Sequence, residues 1–576
     1  MLAKLNKITT GQASLILIIV GFVVYLDGLK NQFLGDDSLQ IVGNPLVHSA
    51  SHIALLFRGG TFYTGNGLSP LSGAYFRPLM MTFYAFLYTL FGPHPLYFHV
   101  FQLAICIGSA ILLYSFFRFS FKPVLALFLS LIFLVHPLNS EVAFGISTLQ
   151  DALFFFFGIL AMYLLARYKS VGSMLAAALC LMLSLFAKET AVVFIAIALL
   201  YLFWYNRKRL FAFAGMLIVP VGVWLVLKVN AIGFFGTNPN NAPIDRIGLL
   251  GRLLTDPSIV LFYITKFIFP WKLASGYYWV FSKYSTVDVL LPLIVDMAVI
   301  AVVVYGGMVL RKRKSKAHYY TYAFFACWTG IGLLPALQII PLDMTASETW
   351  FYFPMAGVLG MIGIAIMAFA KDIDEYVEIG DDALIGLMVA VILILGSRTI
   401  VRGPDWSSIN NLSLNDIMAS KDDYVAYGTV AIDLYDQGRL QSALADDERS
   451  ISILPNGTAY KNMCTVEYKL NEGRKALEAC QSALKYPQSR TEDLYTSTAL
   501  LTFLYRNSAQ TKQFINAGMK QYPRNANLWL YLALVNYRQG DKTDAKFAIQ
   551  KAHSYSGSST IDSAYDVIMN NKKLIL

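Results

Sequence analysis

Two adjacent carboxylates, Asp36 and Asp37, follow Gly35 just beyond the first apolar run of the chain. Acids at that depth must be solvated or used. One use is capping the helix that follows, a role Asp favours. The other is acid–base chemistry, which a positioned carboxylate can perform. Further polar residues recur between later apolar runs: Arg77 before Pro78, His136 with Glu141, Gln150-Asp151 and Lys188-Glu189. Then come Tyr277 in an aromatic loop, Glu348 with Tyr352, and Arg398 and Arg402 near the end of the last run. Arg77 reads either as an interfacial anchor or as a grip on an anion. Lys188 reads either as a snorkelling marker of a helix end or, if unpaired, as a phosphate ligand. The chain carries no Walker loop, Rossmann fingerprint, nucleophile elbow or zinc spacing. That excludes nucleotide-driven transport as far as motifs can. It leaves a lipid-linked substrate, presented at a membrane surface, as the natural chemistry. No metal and no cofactor is called for.

The elements that must position these residues are membrane helices. The 576 residues are 56% hydrophobic and 14% charged, against about 25% charged in soluble chains. The charge deficit lies before residue 400. The net charge of +10 sits in short basic clusters between apolar runs, where topology uses them. Nucleic acid is therefore not the expected partner. A span needs about 20 mostly apolar residues. Eleven segments fit, near 12–29, 98–117, 122–137, 151–167, 171–187, 189–205, 210–228, 287–309, 318–337, 351–370 and 383–399. Placing Lys4 and Lys7 inside also places inside Arg118 with Lys122, Arg167 with Lys169, 207–209 and 311–314. The acidic turn 371–382 is the discordant one. Eleven spans from an inside start leave residues 400–576 extracytoplasmic. Two shorter apolar stretches, 78–91 and 256–270, read as interfacial or re-entrant helices. With the long loop 30–97 they cover a chamber on the outer face, where these acids, bases and aromatics converge.

The last third is different. Residues 424–555 carry a helical-hairpin repeat of about 34 residues, the tetratricopeptide period. Trp529, Ala533, Gly540, Ala545 and Ala552 mark the clearest copy; Tyr427, Ala431, Gly438 and Ala443 mark the first. The second has Tyr460, Cys464, Ala476, Cys480 and Ala483, with a turn that reads as one residue short; the third is degenerate. Such arrays bind polypeptide in a groove or serve as scaffolds. In the second copy Cys464 and Cys480 fall at facing small-residue positions of two packed helices. A disulfide is expected there if the domain lies in an oxidising compartment; the alternative is two free core cysteines. The expected organisation is a membrane domain over 1–400, a linker over 401–423 and a repeat domain over 424–576. The fold class is all-α, a helical membrane bundle followed by an α-solenoid.

In this order the segments resemble the transmembrane and tetratricopeptide-repeat O-mannosyltransferases of the GT-C glycosyltransferase class. The matching pieces are Gly35-Asp36-Asp37 with Asn44-Pro45, Phe76-Arg77-Pro78-Leu79, and Phe98-His99. His136-Pro137 with Glu141 and Asp151, Lys188-Glu189, and Ser347-Glu348 with Tyr352 and Pro354 complete the set. The resemblance covers nearly the whole chain. It implies inverting transfer of a sugar from a polyprenyl-phosphate donor to a hydroxyl of an extracytoplasmic polypeptide, that is, O-glycosylation. Asp36 is then the expected base, with Asp37 as partner or substitute. Lys188 and Arg77 are the expected phosphate ligands, with Arg398 and Arg402 behind them. His136, Glu141, Asp151, Glu348, Tyr277 and Tyr352 are expected to shape the sugar and acceptor pocket. The family tends to carry Arg after the last-loop Glu; Thr349 stands there instead, so the phosphate grip is supplied differently. The short array reads as that of a bacterial relative in the inner membrane with periplasmic repeats, using an undecaprenyl rather than a dolichyl carrier; in a eukaryote the membrane would be that of the endoplasmic reticulum. Two other readings compete. One is an oligosaccharide ligase or polymerase, which depends on a large late outer loop; the other is a non-catalytic assembly factor, which leaves Asp36-Asp37 unexplained.

Overall fold

The computed structural model describes residues 7–63, 71–234, 242–376 and 381–573. Lys4 and residues 377–380 of the acidic turn lie outside them. Among the described residues the fold is all-α apart from a two-stranded antiparallel pair, β1 (Phe62–Tyr63) and β2 (Leu71–Ser72). It divides into two compact units, Met1–Lys421 and Asp422–Leu576.

The first unit is a multi-pass membrane bundle. Its helices are α1 (Thr10–Tyr25), α2 (Pro78–Phe91), α3 (Pro95–Phe117), α4 (Pro123–Val135) and α5 (Leu149–Arg167). Then follow α6 (Val171–Ala187), α7 (Val192–Tyr205), α8 (Arg207–Ile232), α9 (Leu249–Ile268) and α10 (Leu291–Arg313). The last are α11 (Lys316–Leu333), α12 (Tyr352–Tyr376), α13 (Asp381–Arg402) and α14 (Ile409–Ala419). Three helices, α2, α3 and α4, open on proline, whose missing N–H falls where no intrahelical partner exists. Thr9 and Gln12 close a reciprocal cap at the start of α1. Close approach needs glycine where α12 crosses α11: a Cβ on Gly360 would come within 2.3 Å of the Phe325 ring. Trp328, Phe194, Phe353, Phe155 and Phe133 fill the centre of the bundle with edge-on and stacked rings.

Each of the eleven expected spans overlaps a helix. Among the described residues, six helices are long and apolar enough to cross a membrane by themselves. A seventh forms if α4 and the turn Pro137–Phe144, bent by 54°, make one span. Four more apolar helices are shorter, α1, α2, α6 and Glu189–Tyr205. At 1.5 Å per residue the 16 residues of α1 extend about 24 Å, short of the hydrocarbon core of about 30 Å. The expected span 318–337 is α11, whose tyrosines and His318 make it less apolar than its neighbours. The segment 401–423, read as a linker, is ordered. It holds a turn at Gly403–Ser407 and helix α14, with Trp406 and Leu412 in the core of the bundle.

The second unit is a stack of helical hairpins, α15 (Tyr424–Asp436) with α16 (Leu440–Ile453), then α17 (Gly457–Lys469) with α18 (Gly473–Ala483). Helices α19 (Glu492–Tyr505) and α20 (Ser508–Gln521) form the third hairpin; α21 (Ala526–Arg538) and α22 (Lys542–Tyr555) form the fourth, and α23 (Ser559–Met569) closes the stack. Gly438 and Gly540 turn the first and last hairpins at φ of 75° and 85°. The turn of the second is not one residue short. Asn471, at φ 62°, stands in the glycine place, and Asn tolerates that left-handed conformation. The third hairpin turns at Arg506 in extended backbone, which accounts for its poor match to the repeat. Cys464 and Cys480 form a disulfide across the second hairpin, with Cα atoms 5.0 Å apart and both residues buried.

Candidate active site

The Asp36-Asp37 pair sits on a tight turn opened by Gly35, at φ 50°. Asp37 occupies the cap position of the turn Ser38–Val42, yet its side chain makes no capping bond. It reaches back instead and accepts the Leu34 N–H at 2.8 Å. The Asp36 carbonyl accepts the Leu39 and Gln40 N–H groups, but its carboxylate has no hydrogen bond among the described residues. Its surface is open, yet enough protein surrounds it that burial raises its pKa above the ordinary value, with Asp343 adding to the rise and Arg77 opposing it. A group both accessible and densely surrounded lies on the wall of a recess. Burial likewise pushes Asp37 up to about 7, the neighbouring Asp36 charge adding to it and the Leu34 N–H working against it.

Arg77 stands opposite. Its guanidinium lies 4.1 Å over the Tyr75 ring, and its Nε is 3.7 Å from Glu189 Oε2. The other Glu189 oxygen accepts the Phe76 N–H at 2.5 Å, which fixes the backbone at the start of α2. Arg77 is also within electrostatic reach of Asp151 and Asp343. The recess wall thus comprises Asp36, Asp343, Tyr75, Arg77 and Glu189, drawn from four separate stretches of chain. Asp343 and Glu189 were not singled out in the sequence as site residues. Only an isolated acid a few residues before Glu348 and an acid beside Lys188 mark them in the sequence.

Lys188 is not a free ammonium. It donates to Asp151 Oδ1 at 2.5 Å, and both side chains are nearly out of solvent. Arg402 is likewise committed. Its Nη2 donates to Glu348 Oε2 at 3.0 Å, and both side chains are wholly buried. The other Glu348 oxygen accepts the Tyr277 hydroxyl at 2.9 Å and the Ala274 N–H at 2.8 Å. This knot ties the turn Glu348–Phe351 to the 274–277 loop and to the end of α13. Helix α14 supports the same loop: Asp416 accepts the Ser275 N–H at 3.0 Å, and Asn415 donates to the Leu273 carbonyl at 2.8 Å. Glu141 is buried within electrostatic reach of Glu348, Arg402, Asp416 and Asp151.

Two expected pocket residues face inward. His136 donates from Nε2 to the Phe267 carbonyl at 3.0 Å and accepts the Leu138 N–H on Nδ1 at 3.2 Å. With both nitrogens used and the ring stacked on Phe267, it braces the bend between α4 and the following turn. Tyr352 lies in the aromatic core, its centroid 4.7 Å from that of Phe133. Arg398 stays half-exposed and donates to the Trp271 carbonyl at 2.6 Å. Among the described residues, no three His, Cys, Asp or Glu side chains converge as a metal site.

No family model matches the chain. A Caenorhabditis elegans protein O-mannosyl-transferase, F38B6.6, is 24% identical over 410 residues, 68% of this chain and 56% of that one. The chain resembles the protein O-mannosyl-transferases. The mouse protein O-mannosyl-transferase TMTC1 is 31% identical over 132 residues, 22% of this chain and 14% of that one. The human TMTC1 matches similarly over 135 residues. The chain therefore spans about half the length of the nematode relative and a seventh of the others. All three relatives are animal proteins, which gives the expected bacterial origin no support. Among solved structures, a tetratricopeptide-repeat protein with an unusual peptide-binding site is matched at TM-score 0.26 and 15% identity, over 36% of this chain and 98% of that one.

Proposed function

We propose that the chain is a protein O-glycosyltransferase that moves a sugar, with inversion, from a polyprenyl phosphate to a hydroxyl of an extracytoplasmic polypeptide. The observation that carries the reading is Asp36, an accessible carboxylate with no hydrogen-bond partner among the described residues, on a recess wall shared with Arg77. Inverting transfer asks for one general base at the acceptor hydroxyl. Asp36 takes that proton as the hydroxyl oxygen attacks the anomeric carbon. The lipid phosphate departs with the bonding electrons as an anion, so no acid is required at the leaving group. Asp37 fixes the turn through Leu34. Arg77 holds Glu189 and balances the recess charge. Lys188 and Arg402, paired with Asp151 and Glu348, set the shape of the inner wall with Glu141 and Tyr277. Arg398 is the cation of the expected set left to meet a phosphate. The relatives' printed name, protein O-mannosyl-transferase, supports the reaction class and makes mannose the first sugar to test.

The repeat unit is the proposed acceptor-binding part. Its disulfide supports an oxidising compartment, in agreement with basic clusters on the opposite side. Mass spectrometry of extracytoplasmic proteins from cells with and without the chain tests the whole reading. Loss of a hexose from Ser, Thr or Tyr on deletion is expected; an unchanged glycan profile sinks it.

A further inference from the structure

Three cations meet at one turn, Trp271–Lys272, without a carboxylate to hold them. Lys266, in the last turn of α9, donates to the Lys272 carbonyl. Arg398, on α13, donates to the adjacent Trp271 carbonyl at 2.6 Å, with its guanidinium 6.0 Å from the Trp271 ring centre. Lys272 itself is exposed. Among the described residues, none of the three has a carboxylate within ion-pair distance. Glu348 is within electrostatic reach of Lys266 and Arg398, but it is paired to Arg402; Asp405 is the other acid near Arg398. Lys266 also sits 5.5 Å from the Phe262 ring centre and 5.7 Å from that of Tyr277, a placement that keeps its ammonium half-buried and aimed.

Apolar surface adjoins this turn on both contributing elements. Ile268, Phe269 and Trp271 are exposed at 58%, 75% and 75%. Ile394 and Val401 stand four residues before and three after Arg398, on the same helix face, and both are exposed. A compact cationic seat with an apolar helix face running from it fits a ligand with one anionic head and a long hydrocarbon tail. An ammonium serves a phosphate as a point charge, and a guanidinium forks onto its oxygens.

We propose that Lys266, Lys272 and Arg398 hold the phosphate of an isoprenoid lipid monophosphate, with its chain along the Ile394–Val401 face of α13. The assignment rests on the donor reading above and adds Lys266 and Lys272 to it. It also explains how a chain with Thr349 in its last outer turn, and with Lys188 and Arg402 already paired, meets a lipid phosphate.

The test uses the full chain in detergent micelles and a polyprenyl monophosphate as probe, with the matching polyprenol as control. Wild type is expected to bind the phosphate and to bind the alcohol at least tenfold more weakly. The variant K266Q/K272Q/R398Q should lose about tenfold or more in affinity for the phosphate and lose the discrimination against the alcohol. K266R should keep wild-type binding. Unchanged melting temperature and an intact Cys464–Cys480 bond confirm that the variants are folded. If wild type binds the lipid phosphate and the triple variant binds it equally well, this seat is wrong and the donor reading stands. If wild type binds neither phosphate nor alcohol, the donor reading and the seat fall together.

Discussion

Lys188 and Asp151, 37 residues apart, meet at 2.5 Å with both side chains almost wholly removed from solvent. A pair so placed contributes little relative to apolar residues of the same size, but removing one partner strands the other charge. Lys188→Ala and Asp151→Ala should each destabilise the membrane unit by roughly 3–5 kcal/mol. The double variant should cost less than the two single changes summed. Thermal unfolding in detergent reads this out, and a K188A protein that melts with wild type would end the argument.

Transfer should depend on pH in a direction that the recess fixes. A general base works only when ionised, so the rate falls about tenfold per pH unit below its pKa. Burial and then Asp343 raise Asp36, while Arg77 lowers it. Asp343→Asn should therefore move the acid limb of kcat/KM to lower pH, and Arg77→Gln should move it to higher pH. Limbs that stay fixed in both variants would detach Asp36 from the rate.

In the repeat unit, Asp447 is fully buried and accepts only the Asn462 amide at 3.2 Å. Burial pushes its pKa up to about 8, with Asp446 adding and the Asn462 bond opposing. The folded state thus keeps a proton that the unfolded state gives up near pH 4. Stability from this residue is full below that value and declines as pH rises through about 8. Asp447→Asn should stabilise the unit at pH 8 by about 1–3 kcal/mol and have little effect at pH 4. Pulse proteolysis of the full chain at both pH values checks it; equal effects at the two would be the wrong result.

The proposed orientation has its own test. Reporters active on only one side of the membrane, fused after residues 316 and 576, should report inside and outside respectively. Reporting on the same side would break the span count and remove the repeat unit from the oxidising compartment.

Much of the fold is legible because membrane helices and helical hairpins repeat with fixed periods. The limits are equally physical. The second hairpin reads as one residue short when a glycine is sought at its turn, because Asn471 adopts the left-handed conformation instead. The pairing of Lys188 with Asp151 and of Arg402 with Glu348 depends on which helices adjoin, and no local pattern carries that. His136 and Tyr352 lie at the right chain positions for a pocket, but helix rotation turns both into the bundle. In the sequence Lys266 is one basic residue close to Phe262, Tyr263 and Phe267. Only the fold brings its ammonium and the Arg398 guanidinium onto adjacent carbonyls of one turn.

The central claim is that Asp36 is the base of a hydroxyl-directed sugar transfer, and one measurement reaches it directly. Purified full chain is incubated with a polyprenyl-phosphate-linked hexose and a Ser/Thr-containing acceptor peptide, and the peptide is weighed. Wild type should add one hexose mass, and Asp36→Asn, folded and inserted, should be slower by about 10²–10⁴-fold. Hexose transfer by the Asp36→Asn protein at the wild-type rate would contradict the account.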